Sequence, residues 1–259
     1  MIYCRSLIFF VLHNLSGIIA GTFLVIVWPF LPYAIHRRLV SAWILLTQLL
    51  LRICCGIRIR IVGERPTHLY PCVVMANHQS TWETLFLQHY FGPASAVAKK
   101  ELLRIPFFGW GLATMRPITI DRANPVQALK DIKSKGLARL KQGNNLLIFP
   151  EGTRVAPGQK GSFARSGADI ACTADVALVP VAHNAGECWP HKTIMKYPGT
   201  ITVVIGPAIS TEGRERKELT EEVKNWIQTQ LDQLPPGRDD GRRPWLENAD
   251  ADSSRASST

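Results

Sequence analysis

Apolar side chains crowd into the first fifty-five positions as long runs, not as a repeating stripe. Residues 7–31 are almost free of charge, with His13 and Asn14 as polar interruptions. Residues 39–56 form a second apolar stretch, broken by Gln48 and Arg52. A surface helix of a soluble domain needs a polar stripe, and neither run has one. The first run is long enough to cross a bilayer; the second is marginal. Arg5 before the first run is compatible with a secretory signal, but the run is long for one and a second follows at once. The pattern predicts a hydrophobic helical hairpin over residues 1–56.

From Ile57 the periodicity changes. Ile57-Arg58-Ile59-Arg60-Ile61 alternates strictly, as a half-buried strand does. Short apolar runs predict further strands at 72–76, 117–120, 145–149, 177–181 and 201–205. Between them the spacing predicts helices at 80–91, 125–141, 166–174 and 215–234, the second with several lysines outward. Strands alternating with helices indicate an α/β fold: a central, mostly parallel sheet layered with helices, here preceded by the hairpin. The catalytic domain is expected over 57–234. After it, Pro235-Pro236-Gly237 opens a polar segment, 235–259, that reads as a disordered tail.

Charge narrows the partners without choosing one. The formal net charge of +10 favours anionic surfaces: nucleic acid, lipid headgroups or phosphorylated substrates. No interleaved basic and aromatic surface or nucleic-acid-binding motif is present, so nucleic acid is set aside. The six cysteines show no metal-ligand or paired spacing and read as buried reduced thiols in a chain facing the cytoplasm. His36-Arg37-Arg38 falls between the two apolar runs. A spanning first run would put Arg5 and Arg37/Arg38 on opposite sides, against the cytoplasmic bias of positive charge. A hairpin dipping into one leaflet keeps them together and is the preferred arrangement, with a spanning pair as the alternative.

Three constellations carry the chemistry. In Asn77-His78-Gln79-Ser80-Thr81-Trp82-Glu83, a histidine at a strand end precedes a carboxylate on the first turn of a helix. Such a carboxylate can fix one ring nitrogen and leave the other free to take a proton from an alcohol. Ser80 and Glu83 equally match an ordinary capping box, and one carboxylate is expected not to serve both roles well. Ile118-Thr119-Ile120-Asp121-Arg122 and Phe149-Pro150-Glu151-Gly152-Thr153-Arg154 each place a guanidinium at a strand's end. Ligands gather at the carboxyl ends of such strands, and arginine's planar fork suits phosphate. A surface ion pair is the commoner fate of either arginine alone, and Gly152 suits a plain turn as well as close backbone approach.

Together these motifs resemble the glycerolipid acyltransferase family, and within it the bacterial 1-acyl-sn-glycerol-3-phosphate acyltransferases. The family's Asn-His, four residues, Asp corresponds to Asn77, His78 and Glu83. Its Asp-Arg corresponds to Asp121 and Arg122, and Phe-Pro-Glu-Gly-Thr-Arg is matched letter for letter at 149–154. A Val-Pro strand end corresponds to Val179 and Pro180, and the segment around Lys99 and Lys100 resembles the family's lysine-containing stretch. The resemblance covers about residues 57–210 and the hydrophobic pair before them. This chain departs from the pattern at Glu83, where aspartate is usual and where lipid A acyltransferases also carry glutamate, and at Ala164, where lysine is common and Arg165 stands alongside.

The resemblance implies general-base acyl transfer with His78 as base and Glu83 as its partner. Arg122, Arg154, Glu151, Gly152, Thr153 and Lys100 would bind the lysophospholipid acceptor. The acyl donor would be acyl-CoA or acyl-carrier protein as co-substrate, with no metal and no cofactor. Phosphatidic acid made from 1-acylglycerol-3-phosphate is the expected product; another lysolipid acceptor, or a catalytically dead membrane scaffold, is the alternative. The protein is expected at the inner, cytoplasmic membrane among membrane lipids, with its catalytic domain facing the cytoplasm.

Overall fold

A computed structural model describes residues 1–121 and 123–243 of the chain. Two helices open it, α1 (Ile2–Val27) and α2 (Tyr33–Leu50). Pro29 and Pro32 confine the break between them to a few residues, because proline has no N–H to continue a helix. A wider turn, Leu51–Cys55, prolongs α2 and stops at Gly56, whose φ of +71° is a left-handed helix end that glycine adopts without strain. The two apolar runs thus form the expected hairpin. One detail differs: His36, Arg37 and Arg38 lie inside α2, since the prolines place the turn earlier than the charges suggested.

Two of the four polar interruptions of the apolar runs, His13 and Gln48, face inward, while Asn14 and Arg52 are exposed. Gln48 Oε1 accepts from Trp82 Nε1 at 2.6 Å, and His13 stacks on Phe9 and Trp43 with its Nδ1 3.3 Å from Thr47 Oγ1. Phe9 is fully buried in the same apolar cluster as the sheet residues Val74 and Leu147. Burying a side chain of that size contributes about 1.5–3 kcal/mol. The hairpin is therefore a structural wall of the α/β body as well as an apolar surface, which differs from a separate anchoring unit at 1–56.

Seven strands form one sheet in the order β1-β7-β6-β2-β5-β3-β4. They are β1 (Ile57–Val62), β2 (Val73–Ala76), β3 (Ala94–Lys99), β4 (Ile118–Ile120), β5 (Asn145–Ile148), β6 (Leu178–His183) and β7 (Gly199–Ile205). Every neighbouring pair is parallel except β6 with β7. Alternation along β2 divides the core. Val73 and Met75 pack under α5 (Pro125–Lys141), α6 (Ser166–Ala174) and α8 (Arg216–Gln233). Val74 and Ala76 face α3 (Trp82–Tyr90) and the hairpin. Successive strand residues point to opposite faces, so four positions of β2 serve two layers.

Several expectations change in detail. The spacing predicts no element for the segment that forms β3 and α4 (Phe108–Thr114); Ala-Ser-Ala-Val-Ala-Lys is poor in the branched residues that mark strands. Pro180 sits inside β6, not at its end, and the ladder to β7 begins at Val181. Residues 235–243 do not start a loose tail. Gly237 N donates to Glu187 Oε2 at 2.6 Å, Thr200 N donates to the Gly237 carbonyl at 2.6 Å, and Arg58 pairs with Asp239 at 2.6 Å. The Thr200–Gly237 bond belongs to an isolated antiparallel bridge that sets Arg238 against Gly199 at the start of β7; the rest of the expected tail, 244–259, lies outside the described residues. Of the cysteines, Cys55, Cys72 and Cys188 are buried, the last two with thiols pushed up to about 12 chiefly by burial, but Cys4 is exposed.

Candidate active site

β2 and β5 lie side by side and parallel at the centre of the sheet. Their carboxyl ends therefore deliver Asn77-His78 and Phe149–Arg154 to the same place, as the strand-end rule predicts. The second loop grips the first through its backbone. Glu151 Oε2 accepts from His78 N at 2.5 Å, Val155 N donates to the His78 carbonyl at 2.8 Å, and Arg154 Nε donates to the Ser80 carbonyl at 2.9 Å. Phe149 stacks on the His78 ring at 4.3 Å. The loop turns at Gly152 with φ +68°.

His78 Nδ1 and Glu83 Oε1 are 2.8 Å apart, with the imidazole 12% exposed and the carboxylate fully buried. The same Oε1 also accepts from Gln79 N at 2.9 Å and Ser80 N at 2.7 Å, while Ser80 Oγ accepts from Trp82 N at 3.2 Å. The capping box and the His–carboxylate pair are thus one object. The expected competition between the two roles does not occur, because a carboxylate oxygen offers more than one lone pair and the extra methylene of glutamate lets it reach both. Burial alone would push the Glu83 carboxyl up; the His78 hydrogen bond, the neighbouring imidazoles and the Ser80 N–H outweigh it and hold the group below its ordinary value. An ionised Glu83 makes Nδ1 the donor and leaves His78 Nε2 with its lone pair.

His78 lines a cavity of about 460 Å³, within the usual range for ligand sites. Its walls are mostly apolar: Gly17, Ala20, Gly21 and Leu24 from α1, and Leu112 and Met115 from the α4 side. The polar groups that also line it include Thr81, Thr84, Gln88, Thr153, Arg154, Lys99 and His191. A base in a largely apolar cavity that also holds cationic side chains can act on an amphiphile with an anionic head.

The predicted site residues divide accordingly. His78, Glu83, Thr153 and Arg154 come together. Glu151 supports the His78 backbone and borders a second, smaller cavity on its other side. Lys100 is exposed and does not line the His78 cavity; Lys99 does, because it is the last residue of β3. Arg122 lies outside the described residues. Two histidines carry no signal in the sequence. His183 Nε2 lies 2.8 Å from the Asn77 carbonyl, and the Asn77 side chain exchanges hydrogen bonds of 2.9 Å with the His183 backbone, locking the ends of β2 and β6 together. His191 Nδ1 lies 3.0 Å from Arg154 Nη1 in an irregular stretch with no motif to mark it. Among the described residues, no group of three or more His, Cys, Asp or Glu is arranged to hold a metal.

Glu151 supplies a testable property. Burial, opposed by the His78 N–H and reinforced by the charge of Glu83, pushes its carboxyl up to about 7. A carboxyl raised on folding stabilises the fold below its unfolded value and loses that contribution as pH rises through 7. Thermal melts of the wild type and Glu151→Gln between pH 5 and 8 should show the wild type losing Tm relative to the variant. Parallel Tm curves would contradict the raised carboxyl.

Comparisons with known proteins agree with this geometry. A family model described as Acyltransferase matches residues 58–184. A 1-acyl-sn-glycerol-3-phosphate acyltransferase of Pseudomonas aeruginosa is 43% identical over 236 residues, covering 90% of this chain and 92% of that protein. The Saccharomyces cerevisiae enzyme of the same name is 32% identical over 181 residues, covering 66% of this chain and 58% of its own. The crystal structure of the 1-acyl-sn-glycerophosphate (LPA) acyltransferase of Thermotoga maritima superposes with a TM-score of 0.74 at 22% identity, covering 90% of this chain and 95% of that one, which shows a shared fold. With the His78–Glu83 pair and the intact 149–154 loop, these similarities establish that the chain belongs to the acyltransferase family.

Proposed function

We propose that this enzyme transfers a fatty acyl group from a thioester donor to the sn-2 hydroxyl of 1-acylglycerol-3-phosphate, giving phosphatidic acid for phospholipid synthesis. The observation that carries this reading is His78, held by Glu83, in a largely apolar cavity that Lys99, Arg154 and His191 also line. His78 Nε2 takes the proton of the acceptor hydroxyl as that oxygen attacks the thioester carbonyl. The tetrahedral intermediate collapses with loss of the thiolate, and the imidazolium returns its proton to that sulfur. Glu83 holds the ring and stabilises its charge meanwhile. The donor is acyl-CoA or acyl-carrier protein, and the scheme uses no metal or cofactor. Arg154 and Lys99 receive the acceptor phosphate, with Arg122 as a further candidate. Glu151, Gly152 and Thr153 shape the acceptor loop, and Lys100 lies next to Lys99 on the surface.

The hairpin supports attachment to a membrane. α1 and α2 are long and apolar enough to cross one, and in their most apolar windows only 11% and 28% of residues are buried. α1 also lies along the body, with Phe9 against Trp189 at one end and Gly21 against Phe107 at the other. That posture favours a hairpin lying in one leaflet of the inner membrane over a pair projecting through it, with the catalytic domain in the cytoplasm.

The test is a donor and acceptor matrix. Purified protein in anionic vesicles should convert lysophosphatidic acid to phosphatidic acid with acyl-CoA or acyl-carrier protein, read by mass spectrometry. Lysophospholipids with larger headgroups should be at least about tenfold poorer, since their phosphodiester carries less charge and puts a substituent where a terminal phosphate oxygen would meet the cations. Equal rates on all acceptors would refute the assignment of lysophosphatidic acid, and no product with any would refute the enzymatic reading.

A further inference from the structure

Beyond the hairpin, one surface segment departs from ordinary polarity. Arg104-Ile105-Pro106-Phe107-Phe108-Gly109-Trp110 runs into α4. Ile105, Phe107, Phe108 and Trp110 are 45%, 36%, 43% and 46% exposed. A single exposed apolar side chain is normal, but four within six positions, three of them aromatic, make a patch, at which Ile105 and Trp110 stand clear of the His78 cavity while Phe107 and Phe108 also line it. The segment is tied down: Gly109 N donates to the Ile105 carbonyl at 2.7 Å and Gly111 N to the Phe107 carbonyl at 3.0 Å. Phe107 and Trp110 pack edge to face, with centroids 5.2 Å apart.

Two further features say what covers this patch. First, it is continuous with the hairpin. α1 passes so close that a Cβ on Gly21 would stand 2.6 Å from the Phe107 carbonyl oxygen. The exposed Ile18, one turn before Gly21 on α1, thus flanks the patch, while the exposed Ile19 and Phe23 lie on the far side of that helix. Second, the exposed cations Lys99, Lys100 and Arg104 precede the patch, with Glu101 as the one carboxylate among them. Aromatic side chains beside cations fit the boundary between lipid headgroups and acyl chains. A second copy of the chain would need to bury the hairpin as well.

We propose that residues 105–110 form a second membrane-inserting element. This aromatic wedge enters the headgroup–acyl boundary of an anionic bilayer beside the hairpin, with Lys100 and Arg104 meeting lipid phosphates. The proposal rests on the membrane attachment inferred above. α1 and α4 wall the His78 cavity, so a contact on each would hold that cavity against the lipid surface from two sides.

The experiment uses the full chain bound to phosphatidylcholine–phosphatidylglycerol vesicles whose acyl chains carry bromine, a quencher of tryptophan emission. Trp110→Phe and Trp28→Phe isolate, by difference, the emission of the wedge and of the hairpin turn. Bromolipid should quench both components, and aqueous iodide neither. A Trp28 component quenched by bromolipid with a Trp110 component quenched by iodide would overturn the wedge and leave the hairpin attachment standing. Iodide quenching of both would overturn the membrane reading itself. Shielding of Trp110 from both quenchers would assign the patch to a second copy and overturn the wedge. As a second measurement, Ile105→Ser/Trp110→Ser should lower vesicle partitioning on the order of tenfold. It should leave turnover on a short-chain, water-dispersed acceptor unchanged. Unaltered partitioning of that variant, with a wild-type circular dichroism spectrum, would also overturn the proposal.

Discussion

His78→Ala should lose nearly all turnover and keep the fold and its membrane attachment. The backbone around His78 is held from outside the side chain: Glu151 takes its N–H, and Val155 N donates to its carbonyl. Truncation at Cβ leaves both bonds in place. What goes is the ring, with its stacking on Phe149 at 4.3 Å, worth about 0.5–1.5 kcal/mol. Glu83 keeps its bonds from Gln79 N and Ser80 N, so the start of α3 should hold. The chemistry has no substitute. Among the polar groups lining the cavity, the Lys99 ammonium and Arg154 guanidinium offer only N–H donors, and His191 already faces Arg154. Removing a general base costs typically about 10²–10⁴ in rate. Turnover, circular dichroism and vesicle sedimentation on one preparation decide the matter. Near-normal turnover in a folded, membrane-bound His78→Ala protein would refute the base.

Much of this site was legible because its parts are local. The apolar strand runs could be read directly, and a short turn after each strand places Asn77-His78 and Phe149–Arg154 at carboxyl ends. The sequence could not reveal which ends are neighbours: β2 and β5 touch, whereas β4 stands three places from β2, a separation of roughly 14 Å at normal strand spacing. That order decides that Arg154 reaches His78 through the Ser80 carbonyl. Lys99 rather than Lys100 lines the cavity for a similarly small reason: β3 ends at Lys99, and a short helical turn begins at Lys100. His183 was invisible because its role is tertiary: it lies on β6 and locks the Asn77 end of β2 from 106 residues away. The hairpin was recognised as apolar, but its inner face, from Phe9 to Leu24, forms part of the core and the cavity wall. Hydrophobicity alone cannot separate a residue that meets lipid from one that meets protein.

Glu83 is the position where structure most changes an expected outcome. As a cap alone, Glu83→Gln would be mild, since glutamine serves in capping boxes. The geometry makes it costly in both stability and rate. Oε1 accepts from His78 Nδ1, Gln79 N and Ser80 N, and Oε2 is buried with no hydrogen-bond partner among the described residues. If glutamine keeps its oxygen toward the three donors, its NH₂ group is buried without an acceptor, at about 1–3 kcal/mol. If it turns the other way, an NH₂ faces three N–H groups, which is worse. In either pose the negative charge opposite the developing imidazolium is gone. The comparable Asp→Asn change in a Ser-His-Asp triad lowers turnover by about 10⁴. A loss on the order of 10²-fold or more is expected here, falling on kcat more than on KM, because Glu83 touches the base and not the substrate. Glu83→Asp keeps the charge and restores the residue usual at this place. It should recover much of the rate if the turn at Gln79–Ser80 closes the gap of one methylene. Thermal melts and steady-state kinetics on both variants separate the roles. A glutamine variant that loses stability but keeps its rate would leave Glu83 as a helix cap only. One that keeps both would remove it from the site altogether.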